Sequence, residues 1–306
     1  HCEPIIMKRI IYSIYIDIPS EDLDAQPPHH GDTEDKNQKA KREFADHQEW
    51  LEYRQRRYAM SIGIEYKLFT ADDQWIAYRD NLAKQYPQLT MYNIVNFYKI
   101  HLMYQLKEEY DEMLYMDLDV VPVTDESFFD VWDLSKGMVI RHKIPRFEMR
   151  IEHIKDKEKA FIKKGKTDSI RSPLAKYWNN KALLMEYGID KDDAPVYNTG
   201  IVGINKQSLE ELDYFGDFNY MIEAMTELKE EQPSMWPSYI QSFFGWDNET
   251  LWGFLCVKKD IKVQTIDQFW HYFLDRGTFI PKASKLIHVI NKNFGAVRSW
   301  CEKNNL

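Results

Sequence analysis

The sequence predicts an α/β fold with a mainly parallel central sheet flanked by helices. Strand-like and helix-like segments follow one another over the first 123 residues in the order strand, helix, strand, helix, helix, strand. This order is typical of parallel strands joined by crossover helices. The chain has 306 residues, of which 44% are hydrophobic and 14% aromatic, enough for a sizeable core. We expect one domain over residues 1–306.

Each predicted element has its own local signal. The first strand, Lys8 to Pro19, is rich in β-branched and aromatic residues and ends at a proline. Residues 20–42 are polar and predict a mobile loop that leads into a charged, aromatic helix from Phe44 to Met60. Apolar periodicity and turn signals predict the later elements: strands at 64–69, 113–123, 138–140, 201–204, 261–266 and 285–290, and helices at 72–86, 92–107 and 218–230.

Charge is unevenly distributed along the chain. The net charge is −9, yet residues 141–181 carry 13 Lys and Arg against 5 Asp and Glu, so this segment is +8 and the remainder −17. An acidic body with one basic segment indicates a local anionic partner, not a general nucleic-acid coat. We expect residues 141–193 to form a basic, mostly helical insert that is a possible acceptor region. A pair of solvated surface helices is the alternative.

Cysteine content and hydropathy favour a reducing compartment. The three cysteines are far apart and odd in number, which predicts no disulfide framework. No apolar run is long enough to span a bilayer. We therefore expect a soluble, cytoplasmic protein, which includes a phage or viral protein acting in the host cytoplasm.

Two aspartates interrupt one of the apolar runs. Asp117 and Asp119 lie within the strand-like segment 113–123 and are separated by Leu118. In an extended chain, residues two apart point to the same face, so both carboxylates can converge on one hard cation. Burial of an unpaired charge is costly, which favours a paired or metal-bound state. The spacing alone leaves open a strand end with two solvated aspartates.

Three later segments carry further polar residues. Asn198-Thr199-Gly200 precedes an apolar strand, and Gly200 permits close approach of a ligand to the backbone. An ordinary turn entering a strand is the alternative. Asp247 and Glu249 lie among aromatic residues, as at a sugar site or a helix N-terminus. His288 lies inside an apolar run, where a satisfied core histidine is the alternative to a ligand. The sequence contains no P-loop, G-x-G-x-x-G or G-x-S-x-G motif.

Taken together, these features resemble the nucleotide-sugar glycosyltransferases of the GT-A fold. The likeness is to the retaining branch with glycogenin-like, lipopolysaccharide galactosyltransferase-like and clostridial toxin-like enzymes. It spans roughly residues 8–140 and 194–300. Four features carry it in chain order: Lys99 on the helix before the aspartate strand, Asp117-Leu118-Asp119 as a DxD motif, Asn198-Thr199-Gly200 with Asn205, and His288 followed by Lys292 and Gly295. The insert has no counterpart, and the match around Asp247-Asn248-Glu249 is loose.

The resemblance implies a metal-dependent transfer from a nucleoside-diphosphate sugar, with UDP as the expected nucleotide. It implies Mn²⁺, or Mg²⁺, held by Asp117, Asp119 and His288; oxygen ligands suit both ions, and an imidazole favours Mn²⁺. It implies nucleotide-sugar contacts from these residues: Tyr15, Asp17, Lys99, Asp117, Leu118, Thr199, Gly200, Lys292 and Gly295. It also implies Asn198, Asp247 and Glu249 as catalytic candidates, and retention of configuration without a dedicated base.

The acceptor stays open. A phosphorylated glycan, an acidic lipid head group or modified DNA would each suit the basic insert. Two other classes remain: a protein of the same fold that binds or hydrolyses a nucleotide sugar, and a metal-dependent nucleotidyltransferase. The second usually has a Gly-rich loop after the first strand, where this chain has Tyr15 to Pro19.

Overall fold

The computed structural model describes residues 7–26, 28–29, 31–142, 174–190, 194–230 and 245–306. The chain forms two compact units. The first contains residues 1–139, 200–206 and 266–306, and the second contains residues 140–199 and 207–265. The expectation of one domain over residues 1–306 stays a prediction. Most of the basic insert, 143–173 and 191–193, lies outside the described residues.

Strands and helices are numbered here in chain order. The strands are β1 (Arg9–Ile14), β2 (Glu65–Phe69), β3 (Glu112–Met116), β4 (Val120–Pro122), β5 (Met138–His142), β6 (Tyr197–Asn205), β7 (Val263–Thr265), β8 (Tyr272–Phe273) and β9 (Leu286–His288). The helices are α1 (Lys36–Ser61), α2 (Asp73–Gln85), α3 (Met91–Leu106), α4 (Phe128–Val131), α5 (Leu174–Glu186), α6 (Lys206–Leu212), α7 (Phe218–Glu230), α8 (Asn248–Lys258) and α9 (Phe294–Lys303). Short 3₁₀ turns lie at Ser20–Asp22 and Leu134–Lys136.

The first unit contains the central sheet, with strand order β2-β1-β3-β6. β1 is parallel to both β2 and β3, and β3 is antiparallel to β6. All five residues of β3 are buried, as in a strand covered on both faces. The central sheet flanked by helices confirms the predicted α/β fold class, and the antiparallel pairing of β6 with β3 makes the sheet mixed.

A small second sheet in the first unit positions the end of β3. Its strand order is β4-β9-β8, with β4 antiparallel and β8 parallel to β9. The register places Val120 opposite His288, and His288 opposite Phe273. Both β4 and β9 are fully buried. A break in the long predicted strand 113–123 therefore sends the chain from the central sheet into a second one.

Helix α1 begins eight residues before the predicted start at Phe44. The Asp35 carboxylate accepts hydrogen bonds from the backbone N–H groups of Asn37 and Gln38, which satisfies two donors of the first turn. The helix therefore extends into the segment 20–42 that the sequence predicts as a loop. Further along, α1 buries Leu51 and Tyr58 in the core of the first unit.

In the second unit, helices α5, α7 and α8 pack together. The rings of Tyr187 and Phe254 are 4.9 Å apart, and those of Tyr187 and Tyr220 are 5.0 Å apart. Helix α8 approaches the segment before β6 closely, since a Cβ on Gly253 would lie 2.7 Å from the carbonyl oxygen of Pro195. Among the described residues, none of the helices combines the length and apolar character that crossing a membrane requires.

Candidate functional site

Asp117 and Asp119 lie in a tight turn between β3 and β4. The Val120 N–H donates to the Asp117 carbonyl over 3.0 Å, and the Asp117 N–H donates to the Gly200 carbonyl over 2.7 Å. Leu118 is buried in the core of the first unit. The two carboxylates therefore approach each other through a turn that points Leu118 into the core, not through the pleat of an extended strand. The inferred role of Leu118 as a nucleotide contact stays a prediction.

Gln55 on α1 holds this turn. Its amide nitrogen donates to the carbonyls of Asp117 and Val120, each over 2.9 Å. Its amide oxygen accepts hydrogen bonds from the hydroxyls of Ser13 and Tyr66. Gln55 is fully buried, so these bonds are the partners that its polar atoms require. A fully bonded amide fixes the backbone that carries both aspartates.

His288 reaches the same place from β9. The pairing of Val120 with His288 places this histidine beside Asp119, and the Val289 N–H donates to the Asp119 carbonyl over 3.0 Å. The imidazole is 4% exposed. Its Nε2 atom lies 3.3 Å from Asp119 Oδ1 and 3.8 Å from Asp117 Oδ2. Residues that are about 170 positions apart in the chain thus form one cluster.

Three potential ligand atoms converge in this cluster. One atom each from Asp117, Asp119 and His288 lies within 4.8 Å of the other two. In Asp119, Oδ2 is paired with the Lys292 ammonium. Its other oxygen, Oδ1, is buried and accepts no hydrogen bond, although His288 Nε2 is 3.3 Å away. A buried carboxylate oxygen without a partner is the kind of atom that a cation would satisfy.

The two carboxylate oxygens of Asp117 also have different partners. Oδ1 accepts a hydrogen bond from the Tyr115 hydroxyl and lies 3.3 Å from the Lys99 ammonium. Lys99 is 3% exposed, and its ammonium also lies 5.0 Å from the Tyr115 ring centroid. Oδ2 is left on the side of His288. Each aspartate therefore uses one oxygen for a protein partner and turns the other toward the cluster.

Burial and neighbouring charges set the protonation states of the Asp119 carboxylate and the Tyr115 phenol. Burial raises the pKa of Asp119, but Lys292 and His288 outweigh it and lower the pKa below its usual range. Burial, with the nearby Asp117 carboxylate, raises the pKa of the Tyr115 phenol well above its usual range. Asp119 is therefore ionised and Tyr115 protonated at neutral pH. The lysines offer an alternative explanation, because ion pairs alone can also compensate buried carboxylates.

The donor set fits a divalent cation. Two carboxylate oxygens suit a hard ion such as Mg²⁺ or Mn²⁺, and an imidazole nitrogen shifts the preference toward Mn²⁺. Each of the three ligands also has an outer partner: Tyr115 for Asp117, Lys292 for Asp119, and His271 for His288. Outer partners that orient the ligands are a regular feature of metal sites.

The other residues of the first unit that were predicted to contact the nucleotide lie on several different elements. Lys292 adopts a left-handed backbone conformation (φ 58°) in the turn after β9. Gly295 is the second residue of α9, so the predicted turn at this glycine is wrong; the turn residue is Lys292. Tyr15 is half-buried against Phe44, and the exposed Asp17 pairs with Lys41. The roles of these residues toward a nucleotide stay predictions.

In the second unit, the predicted catalytic carboxylates are engaged in structural contacts. Glu249 Oε1 accepts from the Thr199 N–H over 2.7 Å, and Glu249 Oε2 pairs with the Lys176 ammonium. Asp247 is the N-cap of α8 and accepts from the Thr250 N–H and hydroxyl. Asn198 is buried within β6, which begins at Tyr197. The alternative of an ordinary turn at 198–200 is therefore wrong, while the catalytic roles of these residues stay predictions.

Three residues that support the site are not indicated by the sequence patterns: Gln55, Tyr115 and His271. Each is a single polar residue inside an apolar or amphipathic segment, a position normally assigned to core packing. Tyr115 had one usable signal, since it lies two positions before Asp117. Gln55 and His271 had none, because their partners lie on other elements.

Comparison with solved structures finds glycosyltransferases. One is involved in glycosylation of the major capsid of PBCV-1 (12% identity, TM-score 0.43, covering 95% of this chain and 99% of that one). Another is mouse xyloside xylosyltransferase 1 (11% identity, TM-score 0.40, covering 92% and 98%). A third is the galactosyltransferase LgtC in complex with donor and acceptor sugar analogs (12% identity, TM-score 0.43, covering 97% and 96%).

No family model matches the chain, and no curated protein matches it. At these identities and TM-scores, the function has to be inferred from the residues of this chain.

Proposed function

We propose that this chain is a metal-dependent glycosyltransferase that moves a sugar from a nucleoside-diphosphate sugar, with UDP as the nucleotide, to an acceptor. One observation carries the proposal: Asp117, Asp119 and His288 turn three ligand atoms toward one another, and one of these atoms, Asp119 Oδ1, is buried without a hydrogen bond. This arrangement suits a divalent cation, the usual partner of a diphosphate in phosphate-binding sites.

The chemistry requires compensation of negative charge. Cleavage of the bond between sugar and diphosphate leaves growing negative charge on the leaving group. A bound divalent cation would supply Lewis-acid stabilisation of that charge. The role of Asp117, Asp119 and His288 is to hold the cation through two oxygens and one nitrogen. Burial of Asp119 and His288 keeps water away from these contacts and strengthens their electrostatic effect.

Two lysines at the cluster are suited to the diphosphate itself. Lys99 and Lys292 each pair with one of the aspartates. Their ammonium groups are point charges that donate to phosphate oxygens. We assign Lys292 as a diphosphate donor on the β9 side and Lys99 on the α3 side. Contacts of Tyr15 and Asp17 with the nucleoside belong to the same proposal.

The acceptor and the stereochemistry are proposed from the sequence. The net charge of +8 over residues 141–181 favours an anionic acceptor, such as a phosphorylated glycan, an acidic lipid head group or modified DNA. Retention follows from the resemblance to the retaining branch. Asn198, Asp247 and Glu249 are proposed as the sugar-binding and catalytic candidates on the same ground.

Thermal shift with nucleotides tests the proposal. The protein is heated with UDP, GDP or CDP, each with and without Mn²⁺. We expect the largest rise in Tm with UDP and Mn²⁺ together, since ligands that bind only the folded state stabilise it. Asp119→Asn is the matched control and should lose the Mn²⁺-dependent part of the rise. No metal-dependent rise with any nucleotide would contradict the proposal.

A second candidate is a protein that binds a nucleotide sugar without a cation. The pairing of Lys292 with Asp119 favours it, because the lysine already compensates the buried carboxylate. A rise in Tm with UDP that is the same with Mn²⁺ and with a chelator would support this candidate. Incubation of UDP-sugars with Mn²⁺ and candidate acceptors then separates transfer from hydrolysis.

A further inference from the structure

A second histidine lies directly behind His288. His271 is the last residue of the turn before β8, and it is fully buried. Its Nε2 atom lies 2.9 Å from Nδ1 of His288, a hydrogen-bond distance. The two rings are stacked, with centroids 5.2 Å apart and an interplanar angle of 26°. The Phe273 ring packs against both imidazoles and closes this side of the pair.

The pairing of β8 with β9 fixes this contact. β8 runs parallel to β9 with Phe273 opposite His288. The Leu274 N–H donates to the His288 carbonyl over 2.9 Å, and the His271 N–H donates to the Asp267 carbonyl over 3.1 Å. The backbones of both histidines are therefore held by hydrogen bonds, and the distance between the two rings follows from the sheet.

A hydrogen bond between two neutral imidazoles selects a tautomer. One nitrogen must donate and the other must accept. If His288 carries its proton on Nδ1, it donates to His271 and keeps the Nε2 lone pair free. If His288 carries it on Nε2, that N–H points toward the aspartates. Only the first arrangement leaves the Nε2 lone pair, which lies 3.3 Å from Asp119 Oδ1, able to bind a cation at the cluster.

We propose that His271 is a positioning residue that accepts a hydrogen bond from Nδ1–H of His288 and thereby presents Nε2 of His288 to the cation. This inference rests on the proposed function for the cation itself, but the tautomer of His288 is a property of the metal-free protein. Loss of an outer partner of this kind typically weakens metal affinity about 10- to 100-fold.

The test compares His271→Phe with His271→Gln. Phenylalanine keeps a flat ring in the stack but cannot accept the hydrogen bond. Glutamine places an amide oxygen near the position of Nε2 and can accept it. Two readouts are taken: the tautomer of His288 in metal-free protein by ¹⁵N NMR, recorded at rising pH until the imidazole signals no longer change, and the Kd for Mn²⁺ by electron paramagnetic resonance. A His288→Gln sample assigns the His288 signals.

We expect wild-type His288 to carry its proton on Nδ1. In His271→Phe, the Nε2–H form should appear and the Kd for Mn²⁺ should rise about 10- to 100-fold. His271→Gln should restore both the Nδ1–H form and most of the affinity. Wild-type His288 in the Nε2–H form would overturn the inference. So would a tautomer that is unchanged in His271→Phe, even with weaker Mn²⁺ binding, because the role would then be structural.

The two proposals fail in different ways. No Mn²⁺ binding by the wild-type protein would overturn the cation site of the proposed function. The comparison of tautomers between wild type and His271→Phe would still decide the role of His271. Mn²⁺ binding with equal Kd in all three proteins would overturn the role of His271 and leave the cation site in place.

Discussion

Asp119 in the first unit and Glu249 in the second are both buried carboxylates paired with a lysine, and they differ in what their remaining oxygen does. Glu249 uses Oε2 for Lys176 and Oε1 for the N–H and hydroxyl of Thr199. Asp119 uses Oδ2 for Lys292, while Oδ1 is buried and accepts no hydrogen bond. Both oxygens of Glu249 therefore have protein partners, whereas only one oxygen of Asp119 has one.

This difference distinguishes a carboxylate whose two oxygens both have protein partners from one whose second oxygen is left for a ligand. A buried polar group left unsatisfied costs about 1–3 kcal/mol, so folding alone favours the arrangement of Glu249. In Asp119 one oxygen stays unsatisfied, and Asp117 and His288 lie beside it. Sequence patterns do not distinguish the two cases, since both residues are acidic groups next to apolar segments. The hydrogen-bond partners of each carboxylate oxygen distinguish the two cases.

The largest expected effect follows from Asp119→Asn. An amide cannot supply the charge that a divalent cation requires, so we expect Mn²⁺-dependent release of UDP from a UDP-sugar to fall about 10³-fold or more, which corresponds to several kcal/mol. The fold should remain, because asparagine keeps the shape of the side chain. Circular dichroism and release of UDP measure the two properties. Full activity of this variant would remove the metal assignment.

Gln55→Met should have the next largest effect, and it tests the turn that carries the aspartates. Methionine fills a similar volume but leaves the buried Val120 carbonyl without its donor, and it leaves the Asp117 carbonyl with the Val120 N–H alone. We expect a loss of about 3 kcal/mol in the free energy of unfolding, measured by urea denaturation. Gln38→Met, at an exposed position of the same helix, is the control and should change stability by less than about 0.5 kcal/mol. Equal effects of the two changes would show that Gln55 does not hold the turn.

Glu249→Gln should affect stability and spare the cation. Both carboxylate oxygens of Glu249 accept from donors, the Thr199 N–H and the Lys176 ammonium. The NH₂ group of glutamine cannot accept, so in the variant it must face one of these donors. We expect a loss of about 1–3 kcal/mol in the free energy of unfolding, with the Kd for Mn²⁺ unchanged. Glu223→Gln, on the exposed face of α7, is the matched control. A weaker Mn²⁺ affinity in Glu249→Gln would break the contrast between the two carboxylates.

Gly295→Ala should have the smallest effect. A Cβ at this position meets no heavy atom within 4 Å, and alanine is favoured over glycine in a helix. We expect a gain of about 0.4–1 kcal/mol in the free energy of unfolding. The Kd for UDP with Mn²⁺ then tests the inferred role of Gly295: a rise in Kd supports close approach of the diphosphate, and an unchanged Kd removes Gly295 from the site.

Much of the fold could be predicted from hydrophobic periodicity. The predicted starts of two elements were wrong because polar side chains lie there. Helix α7 begins at the predicted residue, Phe218, and is helical through Glu230, because its apolar spacing is regular. Helix α1 was predicted too short, since the cap at Asp35 lies within a polar segment. Strand β6 was predicted too short, since polar residues at 198–200 conceal its start.

The candidate site could be predicted in part. Asp117, Asp119 and His288 were identified because charged or imidazole groups are unusual inside apolar runs. The bonds from Gln55 to Asp117 and from His271 to His288 span 62 and 17 positions of the chain. Such contacts depend on how elements pack, so no local pattern indicates them. The division of each carboxylate between a protein partner and the cluster is likewise a tertiary property.

Anomalous scattering from a crystal of the protein grown with Mn²⁺ and UDP tests the central claim most directly. We predict one strong manganese peak bounded by Asp117 Oδ2, Asp119 Oδ1 and His288 Nε2, and its loss in crystals of Asp119→Asn. A map without manganese at this cluster, with Asp119 paired only with Lys292, would contradict the account.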